Sequence, residues 1–148
     1  MLKVGQLIKK DLVSVQTGTT IAAAAIVMKQ RTIGSVLVEQ HGEFIGIVTE
    51  SDIVRKVVGL NRLPERIFVE EIMSTPIIGI EDSRPIYEAA DLMESHQTRH
   101  LAVTREGTII GVVSVRDLLQ TVAVTKEGTV IGITSVWDLL QPVSVQKF

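Results

Sequence analysis

The chain has 148 residues, a formal net charge of −2, no cysteine and a hydrophobic content of 45% with few aromatic residues. The length suits one compact domain or two small ones, while the cysteine count excludes disulfides and thiolate metal sites and the charge argues against a nucleic-acid surface. The longest apolar run, 21–28, is far shorter than the about 20 residues of a membrane span, and the N-terminus does not resemble a secretory signal. These features predict a soluble, cytoplasmic protein with an aliphatic core.

Residues 1–58 predict one unit with the order strand, helix, strand, strand, helix. In chain order, the predicted elements are 12–15, 21–30, 36–38, 44–48 and 52–58. The hydroxyl residues of 17–20 suit a helix N-cap, and the alanine-rich segment after them has apolar residues at helical spacing. His41 and Gly42 lie in the turn of a hairpin, and Thr49 or Ser51 is expected to cap the last helix.

The same order recurs when the sequence is shifted by 65 residues. The elements of this second unit, residues 69–120, are predicted at 76–80, 86–95, 101–103, 109–113 and 117–120. Asp82 or Ser83 is expected to cap its first helix, and residues 59–68 form the linker between the units. Internal repetition of this kind predicts the architecture more strongly than any single residue does.

Each unit ends in a motif of glycine, hydroxyl residue and aspartate at intervals of three. The motif occurs as Gly46–Thr49–Asp52, Gly111–Ser114–Asp117 and Gly132–Ser135–Asp138. An aspartate at the start of a helix is often only a partner of the helix dipole, and a serine or threonine there is a common N-cap. Capping and ligand binding are both compatible with this pattern.

The third motif belongs to a surplus copy in residues 121–148. A shift of 21 residues aligns 102–120 with 123–141, and fourteen of nineteen positions are identical. This duplicated hairpin and helix either extends a sheet edge or pairs with another chain, or it competes with 102–120 for one place in the second unit. Ser135, Asp138 and Trp137 could line a site only in the second case.

The two units, each ending in Gly–aliphatic–x–Ser/Thr–x–x–Asp, resemble a tandem pair of CBS domains, or Bateman module, over residues 4–120. The stretch Glu-Ile-Met-Ser-Thr-Pro at 71–76 looks like the entry signature of that family. The resemblance implies an α/β (α+β) fold of two βαββα units packed sheet to sheet with pseudo-twofold symmetry, with the duplicated C-terminal ββα fragment added. It also implies clefts between the units that bind adenosyl compounds, and association into a homodimer.

By this resemblance, one cleft should bind a phosphorylated nucleotide. Asp117 would accept both ribose hydroxyls, and Ser114 lies beside helix amides that attract phosphate. Arg99 and His100 would donate to phosphate, unless they are only a solvated strand entry. The base-facing residues are Val13, Gly34 and Ser35. The second, weaker cleft combines Thr49, Asp52, Ile78 and Thr98.

The favoured function is therefore a stand-alone regulatory ligand sensor. An adenine nucleotide, with AMP favoured over ADP, ATP or S-adenosylmethionine, would change the conformation of the homodimer, and an unknown effector protein would respond. The alternative is a structural dimerisation or protein-interaction module without ligand. The sequence has no nucleophile–base pair, metal-ligand cluster or phosphate loop of the usual spacing, so we expect no enzyme, metal or catalytic cofactor. Membrane and nucleic-acid partners are not expected.

Overall fold

The computed structural model describes residues 2–8 and 12–119, together with the short segments 125–126 and 129–130. In chain order, its helices and strands are β1 (Ser14–Gln16), α1 (Ile21–Arg31), β2 (Ser35–Gln40), β3 (Glu43–Thr49), α2 (Glu50–Lys56), α3 (Val69–Ile72), β4 (Gly79–Glu81), α4 (Ile86–Ser95), β5 (His100–Arg105), β6 (Thr108–Ser114), α5 (Val115–Leu119), β7 (Thr125–Lys126) and β8 (Thr129–Val130). Short 3-10 turns lie at Val4–Gln6, Val58–Leu60 and Pro64–Arg66.

The predicted order of elements is present in both repeats, but several bounds differ. Helix α4 matches the predicted 86–95, and α1 begins at the predicted Ile21 with Thr20 as its cap, whose hydroxyl accepts from the Ala23 amide at 3.1 Å. The first strands begin later than predicted, at Ser14 and Gly79. The bounds of a strand depend on its pairing partner rather than on its own apolar pattern.

The predicted cap of helix α4 at Asp82 or Ser83 is wrong. Pro85 occupies the N-cap position, with no side-chain hydrogen bond to the helix amides. Asp82 instead forms an ion pair with Arg105, in which Asp82 Oδ2 lies 2.7 Å from Arg105 Nε. In the first repeat Thr49, and not Ser51, caps α2, so this helix begins two residues earlier than predicted.

Each repeat forms a three-stranded sheet with its hairpin at one edge. The strand orders are β1-β2-β3 and β4-β5-β6, with the first pair parallel and the second antiparallel in both sheets. Both hairpins turn through two residues with positive φ, at His41–Gly42 and at Glu106–Gly107. Such φ values match the twist of a two-residue hairpin loop, which favours glycine at the second position.

The chain divides into two compact units, and the opening segment of each repeat, called its head (residues 1–10 and 69–78), belongs to the unit formed mainly by the other repeat. The first unit contains Asp11–Ile78, and the second unit combines Met1–Lys10 with the chain from Gly79 onward. In the second of these, the Val4 amide donates to the Arg84 carbonyl at 2.9 Å, and in the first the Val69 amide donates to the Thr19 carbonyl at 2.9 Å. These two bonds are equivalent under the 65-residue shift, so each head packs on the other repeat.

Both units have the aliphatic core that the composition predicts. Helix α4 buries the predicted stripe of Ile86, Ala89, Ala90 and Met93, while α1 buries Ala24 rather than the predicted Ala25. Buried side chains of the first unit are Val15, Ile21, Ala24, Met28, Val36, Val38, Val48, Val57, Ile67, Val69 and Ile72. The helices and strands of each unit thus bury aliphatic side chains in a common core.

Part of the surplus copy is also described. Strands β7 and β8 pair Thr125 with Val130 and Lys126 with Thr129, as a separate two-stranded sheet. The place beside β4 is occupied by the first copy, as strands β5 and β6. The helix predicted for the surplus copy, with Ser135 and Asp138, lies outside the described residues.

Candidate functional site

The Asp117 carboxylate is held by the start of its own helix. Its Oδ2 accepts from the Ser114 amide at 2.8 Å and from the Ser114 hydroxyl at 3.0 Å, while the Asp117 amide donates to Ser114 Oγ at 3.2 Å. This reciprocal arrangement is a capping box. The other oxygen, Oδ1, has no hydrogen-bond or ion-pair partner in the described part of the chain. Within the described residues, the cap therefore holds the carboxylate through Oδ2 alone.

The corresponding carboxylate of the first unit has the same cap but a different neighbour. Asp52 Oδ2 accepts from the Thr49 amide at 3.0 Å and from the Thr49 hydroxyl at 3.1 Å. Its Oδ1, however, forms an ion pair with Lys56 Nζ at 2.9 Å, and Lys56 also donates to the Ile72 carbonyl at 2.9 Å. Thr121 stands at the position equivalent to Lys56 in the second repeat. Both oxygens of Asp52 are thus already engaged.

Lys56 is a chemical difference between the repeats that the sequence interpretation missed. It lies four residues after Asp52 on one helix, which is the spacing at which opposite charges become neighbours. Thr121 in the equivalent position cannot form such an ion pair. A comparison of the two repeats at this position would have shown that their carboxylates differ.

The glycine of each motif lies against the head segment packed on its unit. A Cβ added to Gly46 would clash with Met73, whose Cγ would be only 2.8 Å away, and a Cβ on Gly111 would be 2.9 Å from Ile8 Cδ1. Ile8 and Met73 are equivalent under the 65-residue shift. The glycine therefore makes room for a neighbouring segment, a role that the sequence interpretation did not assign.

The predicted phosphate-binding residues lie beside the Asp117 cap. His100 pairs with Ser114 across β5 and β6, and the Val115 amide donates to the Arg99 carbonyl at 3.0 Å. Thr98 Oγ1 donates to the His100 carbonyl at 3.1 Å. Arg99 is exposed, and its guanidinium has no hydrogen bond or ion pair with any residue that the structure describes. The second unit thus brings Arg99, His100, Ser114 and Asp117 together.

The first unit places its predicted residues in the equivalent positions. The Gly34 carbonyl accepts from the Glu50 amide at 3.0 Å, and Ser35 begins β2 with only 8% of its surface exposed. Val13 is partly buried and packs on the core of this unit. Ile78, also partly buried, ends the first unit. The predicted clefts combine residues of both units, and this combination across units stays a prediction.

The described residues contain neither a metal-binding cluster nor a membrane-spanning helix. These residues contain no group of three or more His, Asp or Glu side chains that could hold a metal ion. None of the described helices is both long enough and apolar enough to cross a bilayer.

The sequence model of the CBS domain matches residues 4–59 and 69–123. The chain therefore belongs to the CBS domain family, as its repeated motifs predict. The α+β fold, with two three-stranded sheets and their helices, is also confirmed, because solved proteins with CBS domains superimpose on it.

Relatives of the chain support this assignment. An uncharacterized protein of Methanopyrus kandleri is 35% identical over 121 residues, which cover 80% of this chain and 62% of that protein. A solved protein with CBS domains from Burkholderia ambifaria is 34% identical, with a TM-score of 0.76 over 80% of this chain and 92% of that one. A CBS domain protein of Pyrobaculum aerophilum, solved in complex with AMP, is 27% identical, with a TM-score of 0.70 over 79% of this chain and 90% of that one.

Proposed function

We propose that the chain is a regulatory module that binds an adenine nucleotide between its two CBS units, with AMP as the favoured ligand. The observation that carries this proposal is the Asp117 carboxylate, which Ser114 orients through Oδ2 and whose Oδ1 has no partner among the described residues, together with the exposed Arg99, whose carbonyl accepts from the Val115 amide. The AMP complex of the Pyrobaculum aerophilum protein supports the choice of ligand class.

Asp117 is proposed to bind the ribose. A carboxylate accepts the two vicinal hydroxyls through charge-assisted hydrogen bonds, which are stronger than neutral ones. Two hydrogen bonds to Oδ2, from the Ser114 amide and hydroxyl, already fix its orientation. Little side-chain entropy is then lost when the ligand binds, and such preorganisation raises affinity.

Arg99 and His100 are proposed to bind the phosphate. An arginine guanidinium matches phosphate with two parallel N–H groups, and Arg99 has no competing ion pair among the described residues. A protonated histidine adds a further donor. Val13, Gly34 and Ser35 of the other unit would face the base.

The second cleft, with Thr49, Asp52, Ile78 and Thr98, is proposed to bind nucleotide more weakly. Lys56 already neutralises Asp52, so a ribose would have to compete with an ion pair. The first repeat also has Gly34 where the second has Arg99. This cleft therefore lacks both an available carboxylate oxygen and a bidentate phosphate donor from the first unit.

The readout is proposed to be a change in homodimer conformation that an effector protein senses. A ligand shifts such an equilibrium only by its differential affinity for the two conformations. Val54, Val58 and Leu60 are 60%, 60% and 63% exposed on the surface of the first unit. Exposed apolar side chains that form one patch are typical of protein interaction sites, so these three residues are candidates for such a surface, which would also suit the second candidate function, a dimerisation module without ligand. No catalytic step is proposed.

Calorimetric titration with AMP, ADP, ATP and S-adenosylmethionine tests the proposal. Arg99→Gln should weaken AMP binding about tenfold or more, since one charge-assisted contact is lost, but it should leave adenosine binding unchanged. Asp117→Asn should weaken both, and Asp52→Asn, its matched control, should have a smaller effect. Lys56→Thr, which copies the second repeat, should strengthen the weaker cleft.

Two results would contradict the proposal. If none of the four compounds binds the parent chain, the dimerisation module becomes the better assignment. If AMP binds but Arg99→Gln has no effect, the phosphate is bound elsewhere. Circular dichroism of each variant checks that the caps at Asp52 and Asp117 still support the fold.

A further inference from the structure

The segment that pairs with β4 needs suitable residues at its buried positions, in its polar contacts and in its turn. This segment, residues 100–118, supplies β5, β6 and the start of α5. Its buried positions are Leu101, Ala102, Val103, Gly111, Val113 and Leu118. Its polar contacts to the rest of the unit include Thr104, whose hydroxyl donates to Glu81 Oε1 at 2.9 Å. Its turn needs positive φ at Glu106 and Gly107.

The surplus copy has suitable residues at almost all of the equivalent positions. At the equivalent buried positions it has Val122, Ala123, Val124, Gly132, Thr134 and Leu139. Thr125, Glu127 and Gly128 keep the polar contact and the turn, and Ser135 with Asp138 keeps the cap. Only two buried positions are less suitable, where Val122 is smaller than Leu101 and Thr134 would bury a hydroxyl in place of a methyl group of Val113.

The described part of the surplus copy already has the hairpin register of the first. Thr125 pairs with Val130 and Lys126 with Thr129, and the equivalent pairs of the first copy are Thr104 with Ile109 and Arg105 with Thr108. The described pairs of the surplus hairpin therefore match the register of the hairpin that pairs with β4.

We propose that residues 121–139 of the surplus copy exchange with residues 100–118, so that either segment can pair with β4. The observed arrangement is favoured because Leu101 and Val113 are completely buried there, at 0% exposure. The surplus copy would place the smaller Val122 and the polar Thr134 at these positions, which lowers the stability of the exchanged state. A state disfavoured by a few such substitutions is populated at about 0.1–10%. The longer connection adds little, since loop-closure entropy grows slowly with length.

The exchange would change the candidate site, and this part of the inference rests on the proposed function. Gln120 and Thr121 would replace Arg99 and His100 at the strand entry. Neither of these residues carries a charge for phosphate. A phosphorylated nucleotide would therefore bind the observed arrangement more tightly and reduce the exchanged population.

Disulfide trapping in the full-length chain tests the exchange, because the chain has no cysteine of its own. Glu81 and Thr104 are partners in the β4–β5 ladder, so Glu81→Cys with Thr104→Cys reports the observed state at a spacing suited to a disulfide. Glu81→Cys with Thr125→Cys reports the exchanged state. Glu81→Cys with Lys126→Cys is the control, since one residue along a strand the side chain changes face.

The expected result is a disulfide between positions 81 and 125 within one chain, formed more slowly than the 81–104 disulfide but faster than the 81–126 disulfide. Thr134→Val should accelerate it about tenfold, because a buried hydroxyl is removed from the exchanged state alone. Equal rates for the 81–125 and 81–126 pairs, no effect of Thr134→Val, or an 81–125 disulfide found only between two chains would overturn the exchange. If trapping succeeds and AMP does not slow it, the exchange stands and the nucleotide link is wrong.

Discussion

At the residue scale, the repeated motif combines two separate physical roles. Gly46 and Gly111 leave room for Met73 and Ile8, side chains of a segment that comes from the other repeat. The hydroxyl residue and the aspartate cap a helix reciprocally, and in the described part of the chain Oδ1 of Asp117 has no partner. A spacing in the sequence shows that these residues belong together, but only the contacts show that the glycine makes room for a neighbouring segment and that the aspartate completes a helix cap.

Gly111→Ala is expected to lower the free energy of unfolding by about 1–3 kcal/mol, since the added methyl group overpacks a tight contact. Its Cβ would lie 3.1 Å from Ile8 Cβ as well as 2.9 Å from Cδ1, so the clash is not only with a flexible end. Urea unfolding measures the change. Gly79→Ala is the control, because its Cβ would have its nearest neighbour at 3.5 Å. A full-size loss that persists in the double variant with Ile8→Ala would contradict this explanation.

At the element scale, caps and pairing partners decide where helices and strands begin. Thr20 and Thr49 begin α1 and α2 through hydroxyl caps that the sequence predicts. Pro85 begins α4 without such a cap, although Asp82 and Ser83 precede it. Asp82 instead forms an ion pair with Arg105, a residue far along the chain. Local sequence therefore predicted α1, α2, α4 and α5 but not the short helix α3, and it did not predict that Asp82 pairs with Arg105 rather than capping α4.

Thr20→Ala is expected to lower the free energy of unfolding by about 1 kcal/mol, the usual effect of losing a threonine N-cap. The Ala23 amide would lose its acceptor, which is now 3.1 Å away. Urea denaturation followed by circular dichroism measures this change. Ser83→Ala, at the predicted cap that the structure does not use, should change stability little. Equal losses in the two variants would show that the cap of α1 contributes nothing specific.

At the scale of the whole molecule, the exchange of heads between repeats determines which pieces of chain are stable. The head of the second repeat, with Val69 and Ile72 completely or almost completely buried, belongs to the core of the first unit. The first repeat alone would lack these side chains. The boundaries of the sequence repeat and those of the compact units are therefore different descriptions of one chain.

The fragment 11–78 is expected to be more stable to urea than the length-matched fragment 1–68. The first fragment keeps the segment after residue 68, including the Ser74 amide that donates to the Ile47 carbonyl at 2.8 Å, whereas the second replaces it with a head that packs on the other unit. Circular dichroism during urea titration compares the two. Equal stability would show that the exchanged head adds nothing to the first unit.

The sequence by itself determined the family, the order of elements and the pair of capped aspartates, because repetition, helical spacing and hydroxyl caps are local patterns. The tertiary structure decided the rest through contacts between distant residues. The ion pair of Lys56 with Asp52 is local and could have been found by comparing the repeats, but the hydrogen bond from Lys56 to the Ile72 carbonyl exists only in the folded chain. Likewise, Ile8 reaches Gly111 only because the heads are exchanged, and no local pattern records which repeat a head will pack against.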